Sequence, residues 1–273
     1  MERLCTLCMD EILLKCHLQY SIPKDKVLGL EDFGSGFRTN KVATTAMVLL
    51  ARSISGRWKQ PLGYVLANGG CPIEILKDVL KEALDKLEQI GLNVVVVISD
   101  MGSNFHSFAN HLEVTPDKPW FTYNKRTYHL MFDPPHLMKC VRNNLMKYTF
   151  KFDGLAASWN DIEQFYNKDS SLHTRLAHKL TDKHIHPNNF DKMKVKYATQ
   201  VLSYTVAAGI CTYVSMGGLP SSAMGTSEFV FKFDSIFDCV NSTMLQTSKK
   251  LRCAINEKSF HIEFLKESIN FIK

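Results

Sequence analysis

The sequence predicts an α/β fold, a mixed β-sheet with covering helices followed by an all-helical region. Three observations carry this expectation. Apolar stretches of strand length recur between residues 4 and 132, an amphipathic helix lies among them at residues 76–87, and from residue 152 onward the texture changes to helical periodicity. At 273 residues, 45% hydrophobic and 22% charged, the chain can bury one large core or two smaller ones, which excludes disorder.

Residues 4–14 are mostly apolar but carry the acidic pair Asp10-Glu11, as a buried strand with a functional end would. Two further apolar stretches, 46–51 and 62–67, flank Ser53-Ile54-Ser55-Gly56-Arg57, a turn between antiparallel strands, so the domain opens as a three-stranded meander. Gly69-Gly70-Cys71-Pro72 breaks the sheet, with Pro72 near the first turn of a helix, where its missing N–H costs nothing. In that helix Leu76, Val79, Leu80, Ala83, Leu84 and Leu87 recur at steps of three and four, and charged residues occupy the other face. Gly91 and Asn93 end it. Val94-Val95-Val96-Val97-Ile98 then runs into Ser99-Asp100-Met101-Gly102, so another buried strand delivers a carboxylate to a glycine turn. A short helix over 103–111, a strand over 128–132 ending at Asp133-Pro134-Pro135-His136, and a helix through Leu145 complete the order βββαβαβα.

Residues 152–252 read as a helical domain without strands, with helices over 192–208 and 227–244 and glycine-serine punctuation at 216–222. Residues 260–273 look helical but lack a terminator, so the chain is expected to end mid-structure.

Thirty-three Lys and Arg against 27 Asp and Glu leave a charge of +6, which suits a polyanionic partner without demanding one. The apolar runs fall far short of the roughly 20 residues of a membrane-spanning helix. The N-terminus lacks a secretory pattern, so free thiols are expected. Cys5 and Cys8 form a CxxC, yet on a strand positions three apart face opposite ways, and buried thiols are the better reading than zinc. His184-Ile185-His186 has no nearby third ligand and carries no zinc site. The basic, aromatic segment 118–126, with Trp120, Phe121 and Tyr123, reads as a surface loop in preference to a DNA-tracking one.

Three strands, a helix, a fourth strand and a helix, with acids ending strands one and four, form an RNase H-like arrangement. The chemistry of that fold needs carboxylates converging on two Mg²⁺ ions about 3.5–4 Å apart. Asp10 and Asp100 are the candidate metal ligands, since adjacent strands would bring their ends together, and Glu11 would face the other way. The pattern alone serves equally a pair of acids that merely terminate strands.

Several segments together resemble the P element-type transposases and their THAP-domain relatives. They are Met9-Asp10-Glu11, Lys59-Gln60-Pro61-Leu62-Gly63-Tyr64, Ser99-Asp100-Met101-Gly102-Ser103-Asn104, Phe132-Asp133-Pro134-Pro135-His136-Leu137 with Lys139-Cys140-Val141-Arg142-Asn143-Asn144-Leu145, and Lys179-Leu180-Thr181 through His184 to Lys192-Met193-Lys194-Val195. The resemblance implies a DDE-type core that cuts and joins DNA with Mg²⁺, interrupted by a helical GTP-binding insertion, with Asp10 and Asp100 as its first two catalytic and metal-binding aspartates. It divides the chain into an RNase H-like core over 1–150, the insertion over 151–252, and a return to the core over 253–273, truncated before the final catalytic helix. The third catalytic acid would be a glutamate after the insertion; Glu263 and Glu267 lie too early to match it. The isolated chain is accordingly expected to be inactive. DNA, GTP and a second copy of the chain are the implied partners, no membrane is involved, and the location is nuclear. Two other readings compete: a domesticated, non-catalytic module that binds DNA, GTP or a protein, and a different RNase H-fold nuclease with an unrelated helical insertion.

No Walker A motif occurs, so pattern alone suggests no nucleotide. By position in the family's insertion, Lys179, Lys194, Val195, Asp238 and Asn241 are the implied GTP contacts. A carboxylate at Asp238 would accept the guanine N1–H and 2-amino group together. From residues alone, Asp238 and Asn241 read as the exposed face of a helix. Asn167-Lys168-Asp169 only echoes the guanine-reading NKxD and is taken as coincidence.

Overall fold

The computed structural model describes residues 3–34, 36–242, 245, 247 and 251–272. They form two compact units, divided between Asp133 and Pro134.

The first unit runs β1 (Leu4–Leu13), β2 (Gln19–Ser21), β3 (Lys26–Leu28), β4 (Leu30–Asp32), β5 (Arg38–Val42), β6 (Thr45–Ser53), β7 (Lys59–Ala67), α1 (Ile73–Gln89), β8 (Asn93–Ser99), α2 (Ser103–His111), β9 (Trp120–Tyr123) and β10 (Arg126–Phe132). One eight-stranded sheet has the order β5-β4-β7-β6-β1-β8-β10-β9, and β2 and β3 form a separate hairpin. The antiparallel run β7-β6-β1 and the parallel strands β8 and β10 are the RNase H-like arrangement expected. The chain returns parallel to β1 because α1 carries it back across one face of the sheet.

On β1 the buried residues Cys5, Leu7 and Met9 alternate with the more exposed Thr6, Cys8 and Asp10. The buried set packs with Leu76, Leu80, Leu84 and Leu87 of α1 and with Phe105 and Phe108 of α2. Asp10 therefore belongs to the face away from this core.

Two parts of this unit differ from the sequence reading. Residues 14–44 add β2 to β5, which escape periodicity because three are only three residues long and most of their side chains are partly or fully exposed. The aromatic segment near residue 120 is a strand, not a loop. β9 pairs with β10 through a tight turn with Asn124 and Lys125 at φ 47° and 61°, Phe121 is buried, and Tyr123 donates to Asp85.

The second unit runs α3 (Pro134–Leu145), β11 (Phe150–Phe152), β12 (Leu155–Ala157), α4 (Trp159–Ser170), α5 (Asp182–Ile185), α6 (Asn189–Met193), α7 (Val195–Val201), α8 (Tyr204–Ser215), α9 (Ala223–Val240) and α10 (His261–Ile272). Its core centres on Phe229, whose ring meets those of Phe150, Phe152, Phe233 and Phe271. The β11-β12 hairpin corrects the expectation of a strand-free region; its strands are too short to show a period. It lies so close to α9 that a methyl group on Gly225 would run into the Ala156 carbonyl oxygen. The predicted helix over 192–208 is three helices, because Asn188 caps α6 and Ser203 caps α8 with their side chains. Predicted helical positions Thr243, Met244 and Lys273 lie outside the described residues.

Arg142, in the segment that carries the family resemblance, is fully buried. Its Nη2 donates to the Lys192 carbonyl at 2.8 Å and its Nε to Asn143 at 2.7 Å, which ties α3 to the end of α6.

Candidate functional sites

The first candidate site is made by strand register. β1 and β8 are parallel neighbours with Met9 opposite Ser99, so Asp10 and Asp100 follow at one level on strands about 4.8 Å apart. Met9 and Ser99 are buried, which turns both carboxylates to the other face. Asp100 Oδ1 accepts the Gly102 N–H at 3.0 Å, which fixes the carboxylate's orientation.

Glu11 lies on the opposite face, as the alternation requires. Its Oε1 accepts from Asn104 Nδ2 at 2.7 Å and from the Cys71 N–H at 3.1 Å, and Asn104 also donates to the Cys71 carbonyl. This network ties the end of β1 to the entries of α1 and α2. Burial, reinforced by the negative charge of Glu11 and Glu31, pushes the Cys71 thiol up to about 12.

A third acid, which the sequence reading took only as a strand end, lies at the same level. Phe132 of β10 is opposite Ser99, and the Asp133 N–H donates to the Ser99 carbonyl at 2.8 Å. Burial raises the nearby Cys8 thiol, and the charges of Asp133 and Asp10 raise it further. The clue was the likeness of Phe132-Asp133 to Ser99-Asp100, each ending an apolar strand.

These oxygens suit a hard cation such as Mg²⁺, which is held by one or two carboxylates with water and substrate phosphates completing its shell. Among the described residues no group of three or more His, Cys, Asp or Glu forms a preassembled metal cage. Cys5 and Cys8 are free thiols within β1.

The second candidate site is a cavity of about 760 Å³ in the helical unit, a volume typical of small-molecule sites. Of the residues singled out in the sequence, Lys179, Val195, Asp238 and Asn241 line it. Lys194 does not: its ammonium lies 2.9 Å from Asp191 Oδ1 and 4.9 Å from the centre of the Tyr197 ring. That bond to Asp191 raises the lysine's pKa and lowers the carboxylate's.

The wall also includes Lys196, Thr199, Gln200, Ser203, Tyr204, Asp234 and Arg252, which sequence reasoning missed. They come from α7, the opening of α8, α9 and the segment after it, and no sequence spacing joins these elements.

Two motifs set aside in the sequence turn out to shape this wall. Asp169, fully buried, accepts the Leu176 N–H at 2.7 Å and the Ala177 N–H at 3.2 Å and pairs with Arg175. Arg175 in turn donates to the Leu180 carbonyl, which orders the loop that presents Lys179. His184 Nδ1 accepts the Thr181 N–H, so its Nε2 carries the proton donated to Gln200 Oε1 at 2.8 Å.

Comparison with known proteins finds relatives of both units. Residues 1–113 match the TNP-like RNase H N-terminal domain, and residues 135–254 match the TNP-like GTP-binding insertion domain. The chain belongs to the P element-type transposase family. It is 27% identical over 256 residues to the Transposable element P transposase of Drosophila melanogaster, which covers 93% of this chain and 32% of that protein. It is 26% identical over 255 residues to DNA transposase THAP9 of Homo sapiens, which covers 87% of this chain and 27% of that protein. The chain thus spans a third or less of the length of these relatives. Its fold matches the Drosophila P element transposase strand transfer complex with a TM-score of 0.86 at 23% identity, over 100% of this chain and 59% of that one. The family match of the second unit removes the alternative of an unrelated helical insertion.

Proposed function

We propose that the chain supplies the metal-binding strand ends and the guanine nucleotide site of a DNA transposase. Asp10 and Asp100 would hold a Mg²⁺ pair, which when bound would supply activation of the attacking oxygen and stabilisation of the leaving one in strand cleavage and joining. GTP occupies the helical cavity, with Asp238 taking the guanine edge, Asn241 beside it on the end of α9, Val195 against the base, and Lys179 toward the phosphates. Lys194 belongs to this site only if GTP draws it away from Asp191. The nucleotide site is expected to occupy an insertion over 151–252, and the core to resume over 253–273.

The observation that carries this reading is the placement of Asp10 and Asp100 at one level of two adjacent parallel strands. The family match of the helical region supports the nucleotide half. Both relatives are named transposases, one of them a DNA transposase, so DNA is the proposed substrate and the nucleus its place. Joining DNA ends brings two sites together, which favours a homo-oligomer. No helix among the described residues is long and apolar enough to cross a membrane.

Nicking of plasmid DNA with Mg²⁺ or Mn²⁺, by a longer transposase that carries this chain together with the third acid expected after the insertion, tests the catalytic half. Asp10→Asn and Asp100→Asn are each expected to lower the rate at least about 100-fold. Metal-dependent nicking that survives both substitutions contradicts the assignment.

A further inference from the structure

We propose that Arg252 is an internal competitor for Asp238: its guanidinium faces the carboxylate that a guanine base must take over. The inference rests on the reading of Asp238 as the base-recognising group.

Asp238 lies in the last turn of α9, where the helix's carbonyl end disfavours an anion, and its side chain is 14% exposed. Such a carboxylate calls for donors. Arg252 supplies a cationic one, with Nε 4.0 Å from Oδ1, and both residues line the cavity.

The chemistry of the two partners is the same. The N1–H and 2-amino group of guanine, joined through C2, are a planar guanidine, and an arginine side chain presents an equivalent fork of donors to a carboxylate. Guanine can therefore replace what Asp238 loses when Arg252 leaves. Adenine cannot, because its N1 is an acceptor and its C2 carries no amine. The arginine thus raises the threshold for every ligand but is repaid only by guanine.

The geometry favours exchange. The pair is long, and the Arg252 side chain is 51% exposed, so the contact is weak enough to yield. The backbone beside it is anchored, since His261 Nε2, on a residue 2% exposed, donates to the Leu251 carbonyl at 3.0 Å. The arginine side chain can therefore swing away while its backbone stays in place.

Displacement of a fluorescent GDP analogue by GDP, guanosine and ATP tests the proposal on the wild-type chain, Arg252→Ala and Asp238→Ala. Arg252→Ala is expected to bind GDP and guanosine roughly two- to five-fold more tightly, as release of a half-exposed ion pair predicts. Weaker GDP binding by that variant, as for an arginine that contacts phosphate, or unchanged binding overturns the proposal. Asp238→Ala separates the two levels. If guanine preference is lost there but Arg252→Ala gains nothing, only the competitor role fails. If guanine preference survives in Asp238→Ala, the base reading fails and this inference with it.

Discussion

The two candidate sites are built by opposite means. The strand-end acids are placed by backbone register: a parallel pairing sets Asp10 beside Asp100, and the main-chain N–H of Gly102 orients one of them. The cavity of the helical unit is placed by side chains. Asp169 orders the loop that bears Lys179, His184 and Gln200 brace α7 against α5, and a capping Ser203 starts α8 at the cavity wall. A site set by hydrogen-bonded strands is local and stiff, whereas one assembled from loops and helix ends depends on buried polar groups several residues away.

That difference is open to attack, most forcefully at Asp169. Its replacement by Ala leaves the Leu176 and Ala177 amides and the Arg175 guanidinium without their acceptor. About 3–5 kcal/mol of stability is expected to go, as when one partner of a buried ion pair is removed, and urea unfolding measures it. Nucleotide affinity should fall with it, while metal binding at the strand ends, measured on the folded fraction, should stay. A smaller cost of about 1–3 kcal/mol is expected for Gly225→Ala, which forces β12 and α9 apart, again without effect on Asp10 or Asp100. The reverse pattern should come from Gly102→Ala. The added methyl would meet Asp100 Oδ1 at 3.1 Å, and the change should cost up to about 1 kcal/mol in stability, since Ala is a poorer N-cap than Gly. Calorimetry should show Mn²⁺ binding weakened roughly three- to ten-fold, at the lower end of what disturbing a ligand's orienting partner costs, with nucleotide binding intact.

The same contrast decides what could be read from the residues. Val94 to Ile98 running into Asp100, and the leucines of α1, announce themselves by period, so the sheet, its first covering helix and both aspartates were legible. The short strands β2 to β5 and the β11-β12 hairpin were not, because three to five residues carry too few alternations. Asp133 was visible as a strand end, but its level beside Asp100 follows only from the β8-β10 pairing. In the helical unit, Asp238 and Asn241 looked like an ordinary polar helix face, and only family resemblance singled them out. Lys196, Tyr204, Asp234 and Arg252 were hidden, since nothing in their spacing shows that four separate segments meet at one cavity. Asp169 and His184 were passed over for the opposite reason: each fitted a known binding motif poorly, and the structure gives each a buried hydrogen-bonding role.

Strand register is expected to make Asp10 and Asp100 the ligands of a divalent metal. Paramagnetic broadening by substoichiometric Mn²⁺, followed on the amide signals of the chain, tests it most directly. Signals of residues near 10 and 100 should broaden first, and the effect should vanish in the Asp10→Asn, Asp100→Asn double variant. Broadening centred elsewhere, or left unchanged by the double substitution, would contradict the account.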